Sequence, residues 1–364
     1  MTAAGTGQER PGAEFARHLA EWDGAGVVVS FDRPTGTWIF VALHDDTLGR
    51  PLGGCRMKVY DDPADGLLDA QRLAEGMTSK WAAMDLPFGG GKSVLAIPRP
   101  LQDAERRGLL RRFGRLIDSL HGAYSAGADL GTTPQDMALL AEVTPWVKGV
   151  APDREDGPTD PGPFTALGVL EGMKAALEAA TGSGSLEDRT VLVQGVGDVG
   201  EPLARMVAKA GGQLLLSDLV EERARTLAEE LGGEVVVGDR VYDAECDVYA
   251  PCAVGQTLNA STIPRLRCLV VAGSANNQLE AADDAKRLHH RDILYAPDYV
   301  VNGGGAMAFG LMDVGVRDPD ELRRRVAGIG ASLAEIFREA RDLGESPVAA
   351  ARRRVDRILE RGPA

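Results

Sequence analysis

The sequence predicts a two-domain α/β protein closed by C-terminal helices. Three observations lead there. The chain has 364 residues, and at roughly 100–200 residues per domain that length suits two domains. Beyond residue 164 short apolar strand-like runs alternate with helical patterns, as in a parallel sheet with helices on both faces. Between the halves, "APDREDGPTDPGP" (151–163) is dense in Pro, Gly and Asp and reads as a linker or flexible loop. The expected division is 1–150, 151–318 and a helical 319–364, whose helices pack back toward the N-terminal domain.

The elements follow in order. "AGVVVSFDRPTGTWIFVALHDD" reads as two β-rich runs around the turn Pro34-Thr35-Gly36. "DGLLDAQRLAEGMTSKWAAM" has helical spacing, with Leu68, Ala70, Leu73, Ala74 and Met77 sharing a face. "SVLAIP" reads as a short buried strand entered from a glycine turn, Gly89-Gly90-Gly91. "AERRGLLRRFGRLIDSLHGAY" is an amphipathic helix with Leu110, Phe113, Leu116, Ile117 and Leu120 as its apolar stripe. The second half opens with the helix "TALGVLEGMKAALEAATG". It continues with the strand "RTVLVQ", the loop "GVGDVG", the helix "EPLARMVAKAGG" and the strand "QLLLSD". "CDVYAPC", "CLVVAGSANN" and "ILYAPDYVVNGGG" are further β-rich runs. From Pro319 onward the chain is helical and basic, and no internal repeat is visible.

Composition excludes several classes. The formal net charge is −14, which argues against a nucleic-acid footprint. The N-terminus lacks the apolar core of a signal peptide, and no run of about 18 apolar residues offers a membrane span. The four cysteines form no Cys-x-x-Cys pair, so reduced thiols in a cytoplasmic protein are expected, with no metal.

Two glycine-rich stretches suggest chemistry. Gly195, Val196, Gly197, Asp198, Val199 and Gly200 join a strand directly to a helix. The first glycine permits a tight turn, the second a close approach of backbone to a pyrophosphate, and the third close packing of helix on strand. The helix N-terminus adds unpaired N–H groups and a positive dipole end. Asp218 ends the next strand, where an acidic side chain binds a ribose 2′-hydroxyl and repels a 2′-phosphate. This half is therefore expected to be a Rossmann domain that binds NAD. The other stretch, "PFGGGKSVLAIP", resembles a phosphate loop only superficially. That motif needs a glycine where Leu86 stands, and it precedes a helix rather than a strand. What remains is Lys92 after three glycines, with Lys80 upstream. A lysine held in a partly buried cleft loses proton affinity through desolvation and can act as a base near neutral pH; two surface lysines are the plainer alternative.

The motifs "LGGCRM", "GMTSKWAAMDLPFGGGKSV", "GADLGTTPQDM", "QGVGDVG", "APCAVG", "AGSANNQL" and "YAPDYVVNGGG" occur in order over residues 25–315. As a set they resemble the glutamate/leucine/phenylalanine/valine dehydrogenases, the phenylalanine enzymes most closely. The resemblance implies a reversible, NAD-dependent oxidative deamination of an L-amino acid to a 2-oxo acid, ammonium and NADH. Lys92 matches the lysine that activates water, Asp129 the acid that exchanges protons with the substrate amine, and Lys80 the lysine that binds the α-carboxylate. Gly53 and Gly54 match the glycine pair at the substrate backbone. Asn277 matches an asparagine at the carboxylate, with Asn276 assigned beside the cofactor. Thr165 matches a threonine near the nicotinamide carboxamide. The two lysines are thus expected to differ in proton affinity, with Lys92 a neutral base and Lys80 a fixed positive charge.

By the same matching, Leu52, Gly127, Ala128, Ala306 and Phe309 line the side-chain pocket. The small residues leave volume for an aromatic or large apolar substrate, although Phe309 refills some of it. A branched-chain substrate is the alternative, and glutamate is disfavoured because no extra cation stands among these positions. A non-catalytic NAD-binding regulator would not need the lysines or Asp129, and an amine dehydrogenase would not need Lys80 or Asn277. A homo-oligomer is expected, with "WIFVALHDD" or the C-terminal helices as candidate contacts.

Overall fold

A computed structural model describes residues 22–149 and 160–362. The N-terminal half contains β1 (Gly26–Asp32), β2 (Thr37–Asp45), β3 (Pro51–Val59), α1 (Pro63–Ala83), β4 (Gly89–Ile97), α2 (Asp103–Ser119), β5 (Ser125–Ala128) and α3 (Pro134–Ala141). The strands form one mixed sheet in the order β1-β2-β4-β3-β5. β1 and β2 make the antiparallel hairpin expected around Pro34-Thr35-Gly36, while β3 runs parallel to both β4 and β5.

α1 starts at Asp62, whose carboxylate accepts the Ala64 N–H at 2.8 Å, with Pro63 in the first turn. Both are standard helix starts. Ala70 and Ala74 of the expected stripe are buried, but Leu68 is 42% exposed and the buried face runs through Leu67, Thr78 and Trp81 instead. The reason is Gly66. Its missing Cβ would stand 3.1–3.5 Å from Ala96, Phe40 and Val94, so the helix sits on the sheet along the Gly66–Leu67 edge and turns Leu68 outward. α2 buries Leu110, Phe113 and Ile117 as expected, together with Leu109.

The glycine turn before "SVLAIP" does not exist. Gly89, Gly90 and Gly91 are the first three residues of strand β4, paired with β2 and β3. Side chains are absent there because neighbours occupy their space. A Cβ on Gly90 would meet Thr78 Oγ1 at 1.9 Å and the Ala74 carbonyl at 2.4 Å, both on α1. One on Gly91 would meet the Tyr124 ring at 2.8 Å. The glycines let a helix lie against strand backbone.

The second half contains α4 (Gly162–Thr181), β6 (Thr190–Gln194), α5 (Gly200–Lys209), β7 (Gln213–Ser217), α6 (Glu221–Leu231), β8 (Glu234–Val235), β9 (Val248–Pro251), β10 (Val270–Val271), α7 (Asp283–His289), β11 (Leu294–Tyr295), α8 (Asp298–Val301) and α9 (Gly304–Asp313). Its all-parallel sheet has the order β11-β10-β9-β6-β7-β8. This is the doubly wound arrangement, with its switch point between β6 and β9. The expected strand through "YVV" ends at Tyr295, because Pro297 and Asp298 start α8 and Tyr299–Val301 are helical. Residues 151–159 of the expected linker lie outside the described residues, and Gly162 and Pro163 already belong to α4.

The chain ends in α10 (Pro319–Leu343) and α11 (Pro347–Arg361). α10 lies along α4, and α11 reaches α1 of the first half, where Arg361 pairs with Asp85 at 2.6 Å. Among the described residues no helix is long and apolar enough to cross a membrane.

Candidate active site

Four elements converge at one end of the mixed sheet. Lys92 on β4 and Asp129 just after β5 form an ion pair, Nζ to Oδ1, of 3.0 Å. The pair closes directly over Gly54 on β3. A Cβ there would lie 2.6 Å from Asp129 Cβ and 3.0 Å from Lys92 Nζ. Gly53 is similarly pressed against backbone, 1.7 Å from the Gly91 carbonyl by the same measure. The carbonyls of Leu52 and Gly53 are tied down by the Trp81 indole N–H and the Tyr124 hydroxyl, each at 2.9 Å. The Asp129 N–H donates to Thr132 Oγ1 at 2.9 Å, and that hydroxyl donates to the Cys55 carbonyl at 2.7 Å. The glycine pair and the carboxylate are thus held by β3, α1 and β5 together.

Lys80 stands in the last turn of α1 and is brought to the same place because α1 lies on Gly90. Burial pushes its ammonium down to about 8; Asp298 opposes that shift and repulsion from Lys92 adds to it. Lys80, expected as a fixed positive charge, has its proton affinity weakened. Lys92, expected as the neutral base, is ion-paired with Asp129. Asp129 itself resists burial. Desolvation would raise its carboxyl, but Lys92 and Arg56 together hold it down at about 2.

Residues from the second half approach this centre. Asp298 faces Lys80 from the start of α8, and burial raises its carboxyl despite the backbone N–H groups it accepts from Gln278 (3.1 Å), Tyr299 (2.9 Å) and Asn277. Asn277 has a left-handed backbone, φ 51°, and shares the Asp298 carboxylate with the field of Lys80. Asn276 Oδ1 accepts from the Asn302 side chain at 2.8 Å. The Thr165 hydroxyl donates to the Pro161 carbonyl at 3.0 Å and accepts from the Gly305 N–H at 3.2 Å, joining α4 to α9. Ala306 and Phe309 lie on α9. Phe309 faces the chain beyond β5, 3.8 Å from where a Cβ on Gly149 would stand. Gly127 and Ala128 pair with Gly54 and Cys55 across β5 and β3, and Ala128 is exposed. Sequence reasoning missed Arg56 and Asp298, although both stand inside motifs it singled out, "LGGCRM" and "YAPDYVVNGGG".

The second glycine-rich stretch is a true loop. Gly195 has φ 97° and lies against Ala253 after β9, while Gly200 lies against the Gly195 carbonyl, 1.8 Å from a would-be Cβ. Gly197 faces open space, with nothing within 4 Å of such a Cβ. Among the described residues the N–H groups of Gly197, Asp198 and Val199 have no partner, so the N-terminus of α5 is open to an anion. Asp218 accepts the Val196 N–H at 2.9 Å and the Val220 N–H at 2.9 Å, which sets its carboxylate beside this loop. Open N–H groups, a bare glycine and an adjacent carboxylate fit a pyrophosphate with a 2′-hydroxyl ribose, as NAD supplies.

Comparison with known proteins agrees. Residues 32–145 match the profile described as Glu/Leu/Phe/Val dehydrogenase, dimerisation domain, and residues 216–313 match that of Glutamate/Leucine/Phenylalanine/Valine dehydrogenase. Leucine dehydrogenase of Thermoactinomyces intermedius is 39% identical over 94% of this chain and 93% of its own length. Phenylalanine dehydrogenase of Lysinibacillus sphaericus is 38% identical over 92% of this chain and 88% of its own. The crystal structure of L-tryptophan dehydrogenase from Nostoc punctiforme superposes with a TM-score of 0.81 at 34% identity, covering 95% of this chain and 98% of that one. Relatives named for leucine match as well as those named for phenylalanine. The chain belongs to the glutamate/leucine/phenylalanine/valine dehydrogenase family and is an NAD-dependent amino-acid dehydrogenase.

Proposed function

We propose that the chain catalyses the reversible oxidative deamination of a large apolar L-amino acid, aromatic ones preferred, to its 2-oxo acid, ammonium and NADH. The observation that carries this reading is the Lys92–Asp129 ion pair closed over Gly54 with Lys80 alongside. NAD, held by Gly195–Gly200 and Asp218, supplies the hydride acceptor. Lys80 binds the substrate carboxylate. That anion replaces the water Lys80 loses on burial and restores its proton affinity. Asn277 holds the same carboxylate from the other side of the cleft. Asp129 takes a proton from the α-ammonium and returns one to the leaving nitrogen. Once Lys92 has released its own proton to solvent, its free amine draws a proton from the water that attacks the imine carbon, and the ammonium so formed stabilises the carbinolamine. An amine and a carboxylate held 3.0 Å apart can hand protons between water and nitrogen.

The small residues Gly127, Ala128 and Ala306 support an aromatic side chain, with Leu52 and Phe309 as apolar walls. The match to relatives named leucine dehydrogenase supports a second reading, a branched-chain substrate. One methylene shifts discrimination by only about 1–3 kcal/mol. We place the substrate domain at residues 1–150, the NAD domain at 151–318 and the bridging helices at 319–364. We further propose a cytoplasmic homo-oligomer. Phe31 and Trp38 support it, standing 43% and 38% exposed with ring centroids 4.8 Å apart on the β1–β2 edge of the sheet.

The test is NADH formation at alkaline pH with L-phenylalanine, L-tyrosine, L-tryptophan, L-leucine, L-valine and L-glutamate. The highest kcat/KM is expected with an aromatic substrate. Leucine or valine far ahead would replace the aromatic reading, and no turnover with any of them would overturn the enzyme.

A further inference from the structure

Asp129 has two oxygens and two cations. Lys92 takes Oδ1; Oδ2 is taken by Arg56, whose Nε donates to it at 2.9 Å. Arg56 is anchored in turn, its Nη1 donating to Asp69 on α1 at 2.8 Å. Asp69 also accepts the Tyr60 hydroxyl at 2.7 Å and Arg72 Nη2 at 2.8 Å. The Arg56 and Asp69 side chains are only 16% and 13% exposed. Each group is therefore committed, and the planar guanidinium has a fixed choice of directions. Lys80, Cys55, Tyr60 and Tyr124 also feel the Asp129 charge, but the side chains that hydrogen-bond its carboxylate are Lys92 and Arg56.

We propose that Arg56 is a positioning residue for the reaction: by fixing Oδ2 of Asp129 it leaves Oδ1 facing Lys92 and the substrate nitrogen. This rests on the proton-transfer role given to Asp129 above. The two oxygens of a carboxylate are equivalent, so what Arg56 fixes is the plane of the group: turned to an intermediate angle about its Cβ–Cγ bond, the carboxylate would aim no open lone pair at the amine. The hydrogen bonds and ion pairs of the Arg56 side chain go to Asp129 and Asp69, so it acts on the proton step more than on substrate binding.

The experiment compares the unmodified enzyme with Arg56→Gln, Arg56→Lys and Asp69→Asn, reading kcat, amino-acid KM, the solvent deuterium isotope effect and thermal unfolding. Arg56→Gln should lower kcat about 10–100-fold, part of what a positioned acid–base group contributes, with KM changed less than about threefold. Its solvent isotope effect should rise and the effect of α-deuterated substrate should shrink, as proton transfer becomes slower than hydride transfer. Arg56→Lys should recover only part of kcat, because an ammonium cannot reach both carboxylates in the same plane. Asp69→Asn loosens Arg56 without stranding Asp129, so it decides the matter if Arg56→Gln fails to fold: a smaller fall in kcat with the same rise in isotope effect supports the role. An unchanged kcat, a loss expressed in KM, or a fall in kcat with an unaltered isotope effect would overturn it. Absence of NADH formation by the unmodified chain would instead overturn the function on which the role depends.

Discussion

The two glycine-rich stretches have similar composition and opposite uses. In Gly89–Gly91 the missing side chains are filled by protein: α1 lies on Gly90 and the Tyr124 ring on Gly91. In Gly195–Gly200 the outer two glycines are filled by protein, but Gly197 opens onto empty space beside unpaired N–H groups. The first stretch brings two protein groups together, Lys80 at the end of α1 and Lys92 on β4. The second leaves a place for something that is not protein. What approaches a glycine, and not the number of glycines, decides its function.

Substitutions can break this contrast, beginning with the largest effect. Lys92→Ala removes the group proposed to activate water and should lower kcat by about 10³-fold or more, while NADH still binds by fluorescence titration. Full activity would end the assignment. Gly54→Ala inserts a Cβ under the Lys92–Asp129 pair and should cost on the order of 100-fold in kcat through misplacement alone, with NAD affinity unchanged. Activity near the unmodified level would mean that the pair does not have to close over Gly54.

Lys80→Met sharpens the comparison by separating stability from binding. The Lys80 ammonium is lowered from 10.5 to about 8 in the fold. Below pH 8 both folded and unfolded chains carry its proton, so the burial cost is present in full. Between about pH 8 and 10.5 the unfolded chain binds the proton more tightly, so stability rises with pH as that cost is relieved. Lys80→Met should therefore stabilise the protein by about 1–3 kcal/mol at pH 7, with the advantage shrinking above pH 8 in thermal melts at a series of pH values. The same change should raise amino-acid KM by about 10–100-fold. A destabilised variant would show that Lys80 is not held at a cost. The smallest effect belongs to Gly197→Ala, whose methyl meets no protein atom within 4 Å. It should leave the melting temperature and amino-acid KM alone and raise the NAD KM by about tenfold or less, through crowding of the pyrophosphate.

Much of this was legible in the sequence, for identifiable reasons. The Rossmann half announces itself through local order, since strand, glycine loop, helix and acid follow one another along the chain. The lysines, Asp129 and the glycine pair were legible through the family motifs that carry them. The misreadings have a common cause. Whether Gly89–Gly91 is a turn or a strand, and whether Leu67 or Leu68 is buried, depends on how α1 sits on β4, a contact between segments that local spacing does not encode. Arg56 and Asp298 were overlooked because a charged residue in a motif gains its meaning from partners distant in sequence, here Asp129 and Lys80. Asp218 stands where the motif put it, yet it also holds the loop through Val196 N–H, a backbone contact that spacing does not show.

The most direct test of the central claim, that the packing of α1 on the Gly89–Gly91 strand delivers two lysines with separate tasks, is a parallel steady-state comparison of Lys80→Met and Lys92→Ala in the deamination direction. An opposite split is expected: amino-acid KM rises in the first with kcat less affected, and kcat collapses in the second with KM nearly preserved. If both substitutions move the same parameter to the same extent, the two lysines share one task, which contradicts the division of roles between them.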